Sequence, residues 1–267
     1  MGASAFSSGE AIGVGWRTFK TNIWLMIGAF LLFMVMKEGL GEGLGVLVDL
    51  AGKDHSPEQI VQKLREVEAA LATGSTVPQA VRQIGISEQT YYRWRKLYGT
   101  HALYLYAALG LVLYVLNRFG RLGFTHLALR VVDGEEATIG DLFSQGRLLV
   151  RAVLATIVYV GIVIGGFLLL IVPGIIWGIK FQYYIYAIVD EDAGVMESLK
   201  RSSALTRGEK LNLFWYGLLC GLVGLLGALA LCVGVLAAAP TIALASAYVY
   251  RRLVARDAER REFVTSE

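Results

Sequence analysis

The residues best suited to chemistry lie in the stretch GISEQTYYRWRKLYG, residues 85–99. On a helix, Thr90, Tyr91, Trp94, Leu97 and Tyr98 share one face, and the opposite face is polar and basic. Amide and guanidinium groups on such a face can pair with base edges and phosphates, while the aromatic face packs on neighbouring helices. The candidate DNA-contacting residues are Ser87, Gln89, Thr90, Tyr92, Arg93, Arg95 and Lys96.

Two helices must precede this one to position it. The capping box of residues 56–59, with Pro57 at the first helical position, opens a helix whose apolar residues recur at helical spacing until Gly74. Thr76 with Gln79 repeats the capping pattern for a short second helix, and Gly85 ends it. Ser87 then caps the third helix. The spacing predicts a three-helix helix-turn-helix domain over residues 53–100.

Residues 55–99 resemble the helix-turn-helix of the small OrfA subunit of insertion-sequence transposases, with an SPEQI opening, a GIS turn and a T-x-Y-x-W-x-x-x-Y-G helix. The resemblance implies DNA binding and a link to transposition. The acidic catalytic residues of transposition belong to another subunit, so the resemblance implies no transposase chemistry. Where such proteins continue into an oligomerising coiled coil, this chain begins an apolar run at His101.

Composition assigns the rest of the chain to the membrane proteins. In 267 residues, 55% are hydrophobic and 18% charged, with a mean hydropathy of +0.55. The apolar residues come in blocks of membrane-spanning length. We expect an all-α, polytopic membrane helix bundle of about six spans, with turns at Pro173 and near residues 232–234 and a second span over residues 102–116. The weakest span, residues 23–36, is too short to cross the bilayer unless residues on both sides of it extend the helix.

The distribution of Lys and Arg predicts the orientation. Basic residues follow spans two, four and six and precede span one, whereas the hairpins at Pro173 and Gly234 carry none. By the positive-inside rule, both termini of this multi-pass membrane protein are expected to be cytoplasmic; the bacterial inner membrane as its location is what the family resemblance given below implies. The first loop, residues 53–100, is then external. Long loops cross membranes regardless of charge, so the loop's own seven basic residues do not decide its side.

The apolar part also resembles a known family. The runs GWRTFKTNIWLMIG, LLLIVPGIIWGIKFQYYIYAIVDED and APTIALASAYVYRRL are similar to an uncharacterised family of bacterial polytopic inner-membrane proteins, akin to the membrane domain of some glycerophosphoryl diester phosphodiesterases. The resemblance implies a helix bundle and no known reaction. We therefore expect a first span in residues 1–52, an insert in residues 53–100, a five-span bundle in residues 101–253 and a polar cytoplasmic tail in residues 254–267.

Two polar residues, Lys180 and Gln182, fall within the predicted fourth span. An ionisable group in a membrane indicates a pathway or a partner, but Lys180 is also close enough to the Pro173 turn to snorkel to the interface. Residues 189–210 indicate an amphipathic helix that lies at the headgroup plane or against a neighbouring loop, with a solvated loop helix as the alternative. No catalytic, metal-ligand or phosphate-cradling motif is present, so no catalytic residue, metal or cofactor is predicted.

Two functions follow from these patterns. The first is a non-enzymatic integral membrane protein of unknown activity whose helix-turn-helix is folded but does not reach DNA. The second is a membrane-tethered, sequence-specific DNA-binding protein related to transposition. The side of the membrane that holds the insert distinguishes them, because chromosomal DNA lies only in the cytoplasm. The expected partners are the lipid bilayer and, through the insert, DNA; the sequence does not indicate an oligomeric state.

Overall fold

The computed structural model describes residues 5–35, 57–98, 100–230 and 233–265. All regular structure in these ranges is helical. The chain forms two compact units, one of Met1–Met34 with Asn117–Glu267 and the other of Val35–Leu116. We call the first the bundle unit and the second the helix-turn-helix unit.

The helix-turn-helix unit contains α3 (Pro57–Ala72), α4 (Val77–Ile84) and α5 (Glu88–Tyr98). The helix predicted to end near Gly74 ends at Ala72, and Gly74 has a φ of +96°. The N–H of Gly74 donates to the Leu71 carbonyl and the N–H of Ser75 donates to the Ala70 carbonyl, so these two bonds cap the last turn of α3. The three predicted helices are thus confirmed. The predicted capping residue Ser56 lies outside the described residues.

The bundle unit takes its helices from both ends of the chain. They are α1 (Ser8–Thr21), α2 (Ile23–Val35), the end of α6 (Thr100–Asp133), α7 (Leu149–Leu169), α8 (Ile171–Phe181), α9 (Tyr184–Glu191), α10 (Val195–Leu205), α11 (Lys210–Leu229) and α12 (Val233–Thr265). Two 3-10 turns, Ile139–Phe143 and Gly146–Leu148, connect α6 to α7.

The first apolar segment is not the straight span that we expected. The chain bends by 97° between α1 and α2, so residues 19–22 do not extend the apolar helix beginning at Ile23. Instead, α1 packs along α12, where a Cβ on Gly15 would lie 2.5 Å from the Thr241 carbonyl oxygen. The Tyr248 hydroxyl donates to Glu10 at 2.9 Å. Residues 36–40, also expected to lengthen this span, lie outside the described residues.

The predicted second span and the first part of the basic loop after it form one helix. The 34 residues of α6 run without a break from Thr100 to Asp133 and include Arg118, Arg121 and Arg130. The end of this helix buries Leu122, Leu127 and Leu129. Since this apolar face continues past the arginines, packing keeps the segment helical where charge indicated a loop.

One predicted turn falls at another position, and one predicted span is interrupted. The chain reverses at Leu170, between α7 and α8, and Pro173 lies inside the first turn of α8, a position that proline tolerates. The predicted fourth span is interrupted at Gln182 and Tyr183, where α8 gives way to α9. The last hairpin lies between the end of α11 at Leu229 and the start of α12 at Val233, in agreement with the turn predicted near residues 232–234; residues 231 and 232 lie outside the described residues.

Two helical segments, Ile139–Leu169 and Lys210–Leu229, are long and apolar enough to cross a membrane, and the bent pair α1 and α2 raises this to three. These numbers apply to the described ranges alone, and they do not support six spans. The amphipathic helix predicted within residues 189–210 is present as α10. Its face of Ser198, Leu199, Ser202 and Leu205 is buried in the bundle unit, whereas Met196 and Lys200 are exposed.

Candidate nucleic-acid interface

The turn before α5 is built by local hydrogen bonds. Gly85 adopts a φ of +75°, a left-handed conformation that glycine reaches without strain, and the Ile86 N–H donates to the Val81 carbonyl at 3.0 Å. The Ser87 hydroxyl oxygen accepts from the Thr90 N–H at 3.1 Å. Upstream, the Gln79 side chain accepts from the Thr76 N–H at 3.0 Å. These contacts confirm the predicted caps of α4 and α5.

The inner face of α5 holds the unit together. Tyr91 and Trp94 are buried against Ile60 and Val67 of α3 and Val81 of α4. Their burial was predicted from spacing and is confirmed. The side chains of Leu97 and Tyr98, assigned to the same face, lie outside the described residues.

The outer face of α5 is exposed and basic. The exposed members are Gln89, Tyr92, Arg93, Arg95 and Lys96, which we call the reading face. The guanidinium of Arg95 lies 6.0 Å from the centre of the Tyr91 ring, a cation–π distance that orients the side chain beside the core. Three positive charges on adjoining positions suit phosphate contacts, and the Gln89 amide suits the edge of an adenine. Ser87 and Thr90 serve mainly the cap, since their hydroxyls bond to each other at 2.8 Å.

Lys180 and Gln182 both lie in the bundle unit, but their side chains have different neighbours. The Lys180 ammonium sits 4.9 Å from the centre of the Phe181 ring, and the Lys180 carbonyl accepts from the hydroxyls of Ser202 and Thr206. The Gln182 side chain lines a cavity of about 360 Å³, where its Nε2 is buried without a hydrogen-bond partner. The two residues therefore do not form one polar site.

Sequence reasoning missed an ionic cluster centred on three consecutive acids. Asp190 pairs with Arg251 of α12 at 2.8 Å, Glu191 with Arg201 of α10 at 2.7 Å, and Asp192 with Arg151 of α7 at 2.6 Å. Arg251 also pairs with Asp133 at the end of α6. The D-E-D run after an apolar helix was the available signal, because adjacent acids at a helix end point in different directions.

Arg201 shows how strongly this cluster holds its charges. Burial alone would lower its pKa, but hydrogen bonds to Glu191 and Asp257 outweigh that effect and raise the pKa above the ordinary arginine value. The guanidinium stays charged and joins α9, α10 and α12.

The comparisons with known proteins match two domain models to different parts of the chain. Residues 104–255 match the model of a domain of unknown function, DUF7847. The chain belongs to the DUF7847 family. Residues 62–105 match a helix-turn-helix domain model.

Two of the curated relatives match nearly the whole chain, and a third matches a short part of it. An uncharacterized protein of Mycobacterium tuberculosis, Rv2560, is 27% identical over 94% of this chain and 70% of its own length. An uncharacterized protein of Mycobacterium bovis, Mb2590, matches to the same extent. Over 43 residues, 16% of this chain and 28% of the relative, the chain is 40% identical to a Rhizobium meliloti protein named "Probable transcriptional regulator syrB3". No solved structure matches.

These matches name neither a transposase nor a glycerophosphoryl diester phosphodiesterase. They agree with a helix-turn-helix and with an uncharacterised family. The link to transposition stays a prediction, and the likeness to the phosphodiesterase membrane domain has no support here.

Proposed function

We propose that the helix-turn-helix unit binds duplex DNA through the reading face and that the DUF7847 domain embeds the chain in a bacterial inner membrane. The observation that carries the DNA-binding activity is the division of α5 into a buried aromatic face and an exposed basic one. The match of residues 62–105 to a helix-turn-helix domain model supports the same activity, as does the similarity of 43 residues of the chain to a probable transcriptional regulator.

The expected binding is weak. Arg93, Arg95 and Lys96 supply few phosphate contacts, and Gln89, with Tyr92, supplies few contacts to bases. A single unit of this kind has an affinity near the non-specific range, roughly 10⁻⁴ to 10⁻⁶ M, which falls as salt rises.

The experiment uses a soluble fragment of residues 55–99, which has its own apolar core. Fluorescence anisotropy with a labelled duplex should report salt-dependent binding. The variant Arg93→Ala/Arg95→Ala/Lys96→Ala should lose most of the affinity and flatten the salt dependence. The control Arg65→Ala removes an exposed charge from α3 and should bind almost as the parent fragment does. A triple variant that binds as well as the parent would disprove the role of the reading face.

For the whole chain we propose a multi-pass topology with both termini cytoplasmic and the helix-turn-helix unit external. The supporting observation is the distribution of basic residues, which follow the segments predicted from the sequence as spans two, four and six. The length of α6 agrees with a crossing, since 34 residues at about 1.5 Å each exceed the roughly 30 Å hydrocarbon core. In this topology the unit does not reach chromosomal DNA in the cell.

A membrane-tethered DNA-binding protein is the second candidate. The 97° bend between α1 and α2 favours it, because a bent pair can also be a re-entrant loop that returns the chain to the side where it began. The unit would then be cytoplasmic and could bind chromosomal DNA. Crosslinking in intact cells separates the candidates: DNA crosslinks that are lost in the triple variant would establish the second and exclude the first.

A further inference from the structure

Two distant segments of the chain meet at the end of α12. The connection between α10 and α11 contains Arg207, Gly208 and Glu209, and the buried Glu209 carboxylate accepts from the guanidinium of Arg256 on α12. Gly208 has a φ of +87°, and a Cβ on it would lie 3.2 Å from Arg256 Nη2 and 3.8 Å from Arg260 Nη2. The buried ion pair therefore holds the arginine-bearing end of α12 against this connection.

A pocket of about 460 Å³ lies at this junction. Its charged lining residues are Arg207, Asp257, Arg260 and Arg261. The Asp257 carboxylate is already paired with Arg201 at 2.5 Å and with Arg261 at 3.0 Å. Arg207 and Arg260 are exposed, and among the described residues neither forms an ion pair with a carboxylate. The pocket therefore has a net positive charge and presents two exposed arginines.

The pocket lies at one end of a candidate membrane span. Helix α11 begins at Lys210, three residues past Arg207, and is long and apolar enough to cross a membrane. Tryptophan concentrates at membrane–water interfaces, so the exposed Trp215 in the second turn of α11 indicates that the interface is near this end. Arg207 is then at the level of the lipid headgroups, outside the hydrocarbon core.

The topology proposed above, on which this inference rests, places the pocket on the cytoplasmic side. Arg207 follows the segment predicted as the fourth span, and Arg260 and Arg261 belong to the tail predicted to be cytoplasmic. The cytoplasmic leaflet carries negative charge, and arginines immediately beside a membrane span attract anionic lipids. At headgroup level the guanidiniums also stay hydrated, so this placement buries no charge in hydrocarbon.

We propose that this pocket binds the headgroup of an anionic phospholipid of the cytoplasmic leaflet. The guanidiniums of Arg207 and Arg260 can donate paired N–H groups to the phosphate oxygens. The volume is at the small end of ligand pockets, which suits a headgroup whose acyl chains lie outside the pocket.

The apolar surface of α11 favours a lipid over a soluble phosphate as the occupant. Exposed apolar residues recur at helical spacing along this helix, and they are Leu211, Trp215, Leu218, Leu222 and Leu225. This face begins four residues past Arg207. A phospholipid has a charged group and acyl chains that match both features, whereas a soluble phosphate matches the pocket alone.

The test uses the full-length protein in phosphatidylcholine nanodiscs, with phosphatidylglycerol replacing an increasing fraction of the lipid. The unfolding temperature is measured at each composition, and we expect it to rise with phosphatidylglycerol until the pocket is saturated. A parallel arm adds inorganic phosphate to phosphatidylcholine nanodiscs at matched ionic strength. This arm should have little effect, because the proposed occupant is a lipid.

Variants connect the response to the pocket. Arg207→Gln/Arg260→Gln should raise the phosphatidylglycerol fraction needed for half of the stabilisation about tenfold or more, because each arginine beside an anionic surface contributes about fivefold to binding. In phosphatidylcholine alone this variant should unfold at the temperature of the parent, because it breaks no ion pair. The control Arg17→Gln/Lys200→Gln removes two exposed charges outside the pocket and should respond as the parent does.

A measurement on the parent protein decides the question even if the double variant does not fold. Phenylglyoxal modifies accessible arginines, and mass spectrometry gives the rate of modification at each position. Phosphatidylglycerol should slow the modification of Arg207 and Arg260 severalfold relative to phosphatidylcholine. The rate at Arg17, which is exposed but outside the pocket, should change little.

Four results would overturn the proposal. They are the absence of stabilisation by phosphatidylglycerol, equal stabilisation by inorganic phosphate, a full response in the double variant, and the absence of protection at Arg207 and Arg260. A protein that enters nanodiscs and gives one of these results contradicts the lipid site alone. A protein that does not enter nanodiscs overturns the membrane placement and the lipid site with it. DNA binding plays no part in either measurement.

Discussion

Two adjacent tyrosines on α5 have opposite environments. Tyr91 is fully buried, with 0% of its surface exposed, whereas Tyr92 is 53% exposed. They differ by one helical position, about 100° of rotation, which moves a side chain from the core to solvent. The same rotation separates the residues that fold the unit from those that could contact DNA.

This difference predicts a matched pair of effects on the isolated fragment. Tyr91→Ala should lower the free energy of unfolding by about 3–5 kcal/mol, the range for removing a buried aromatic side chain. Tyr92→Ala should leave stability within about 0.5 kcal/mol, as exposed substitutions do. Urea unfolding followed by circular dichroism measures both. Equal losses would mean that α5 is not packed as described.

At the scale of the elements, α6 and the turn that follows it are so close together at Gly123 that no side chain larger than hydrogen fits between them. A Cβ at Gly123 would overlap the carbonyl oxygen of Leu142 in the 3-10 turn Ile139–Phe143. Gly217, on α11, has open space where its Cβ would be. One glycine is therefore required by packing, and the other is not.

We expect Gly123→Ala to destabilise the protein by roughly 1–3 kcal/mol, because the backbone of the turn must move. Gly217→Ala should stabilise it slightly, by about 0.5–1 kcal/mol, because alanine loses less conformational freedom in a helix. Thermal unfolding in detergent compares the two variants. If Gly123→Ala unfolds no earlier than the parent, the contact between α6 and this turn is incorrect.

The features that were predicted correctly from the sequence depend on interactions between residues that are close together in the chain. The caps at Ser87 and Thr76, the left-handed Gly85 and the buried spacing of α3 and α5 depend on local hydrogen bonds and helical periodicity. The failures depend on distant partners. Pro173 indicated a turn that the chain makes at Leu170, and the arginines of α6 indicated a loop although Leu122 and Leu127 keep it packed as helix. The predicted amphipathic helix α10 is present, and the burial of its inner face depends on contacts with α7, α8 and α9.

For the whole molecule, the two units have separate cores and match separate families. The bundle unit should therefore fold and enter the membrane without the insert. Replacing residues 53–100 by a short Gly/Ser linker is expected to leave expression in the membrane fraction intact, because, among the described residues, the apolar cores of the two units have no residue in common. Membrane fractionation measures the outcome. Loss of the protein from that fraction would show that the insert is part of the bundle fold.

The central claim is that the helix-turn-helix unit lies outside the cytoplasm, and labelling of a single cysteine tests it most directly. Ser75→Cys, in the turn between α3 and α4, is introduced after Cys220 and Cys232 are replaced by alanine. A membrane-impermeant maleimide is then added to intact spheroplasts. The proposed topology predicts labelling in intact cells, equal to that after lysis. Labelling that occurs only after lysis would contradict the topology and favour a membrane-tethered DNA-binding protein.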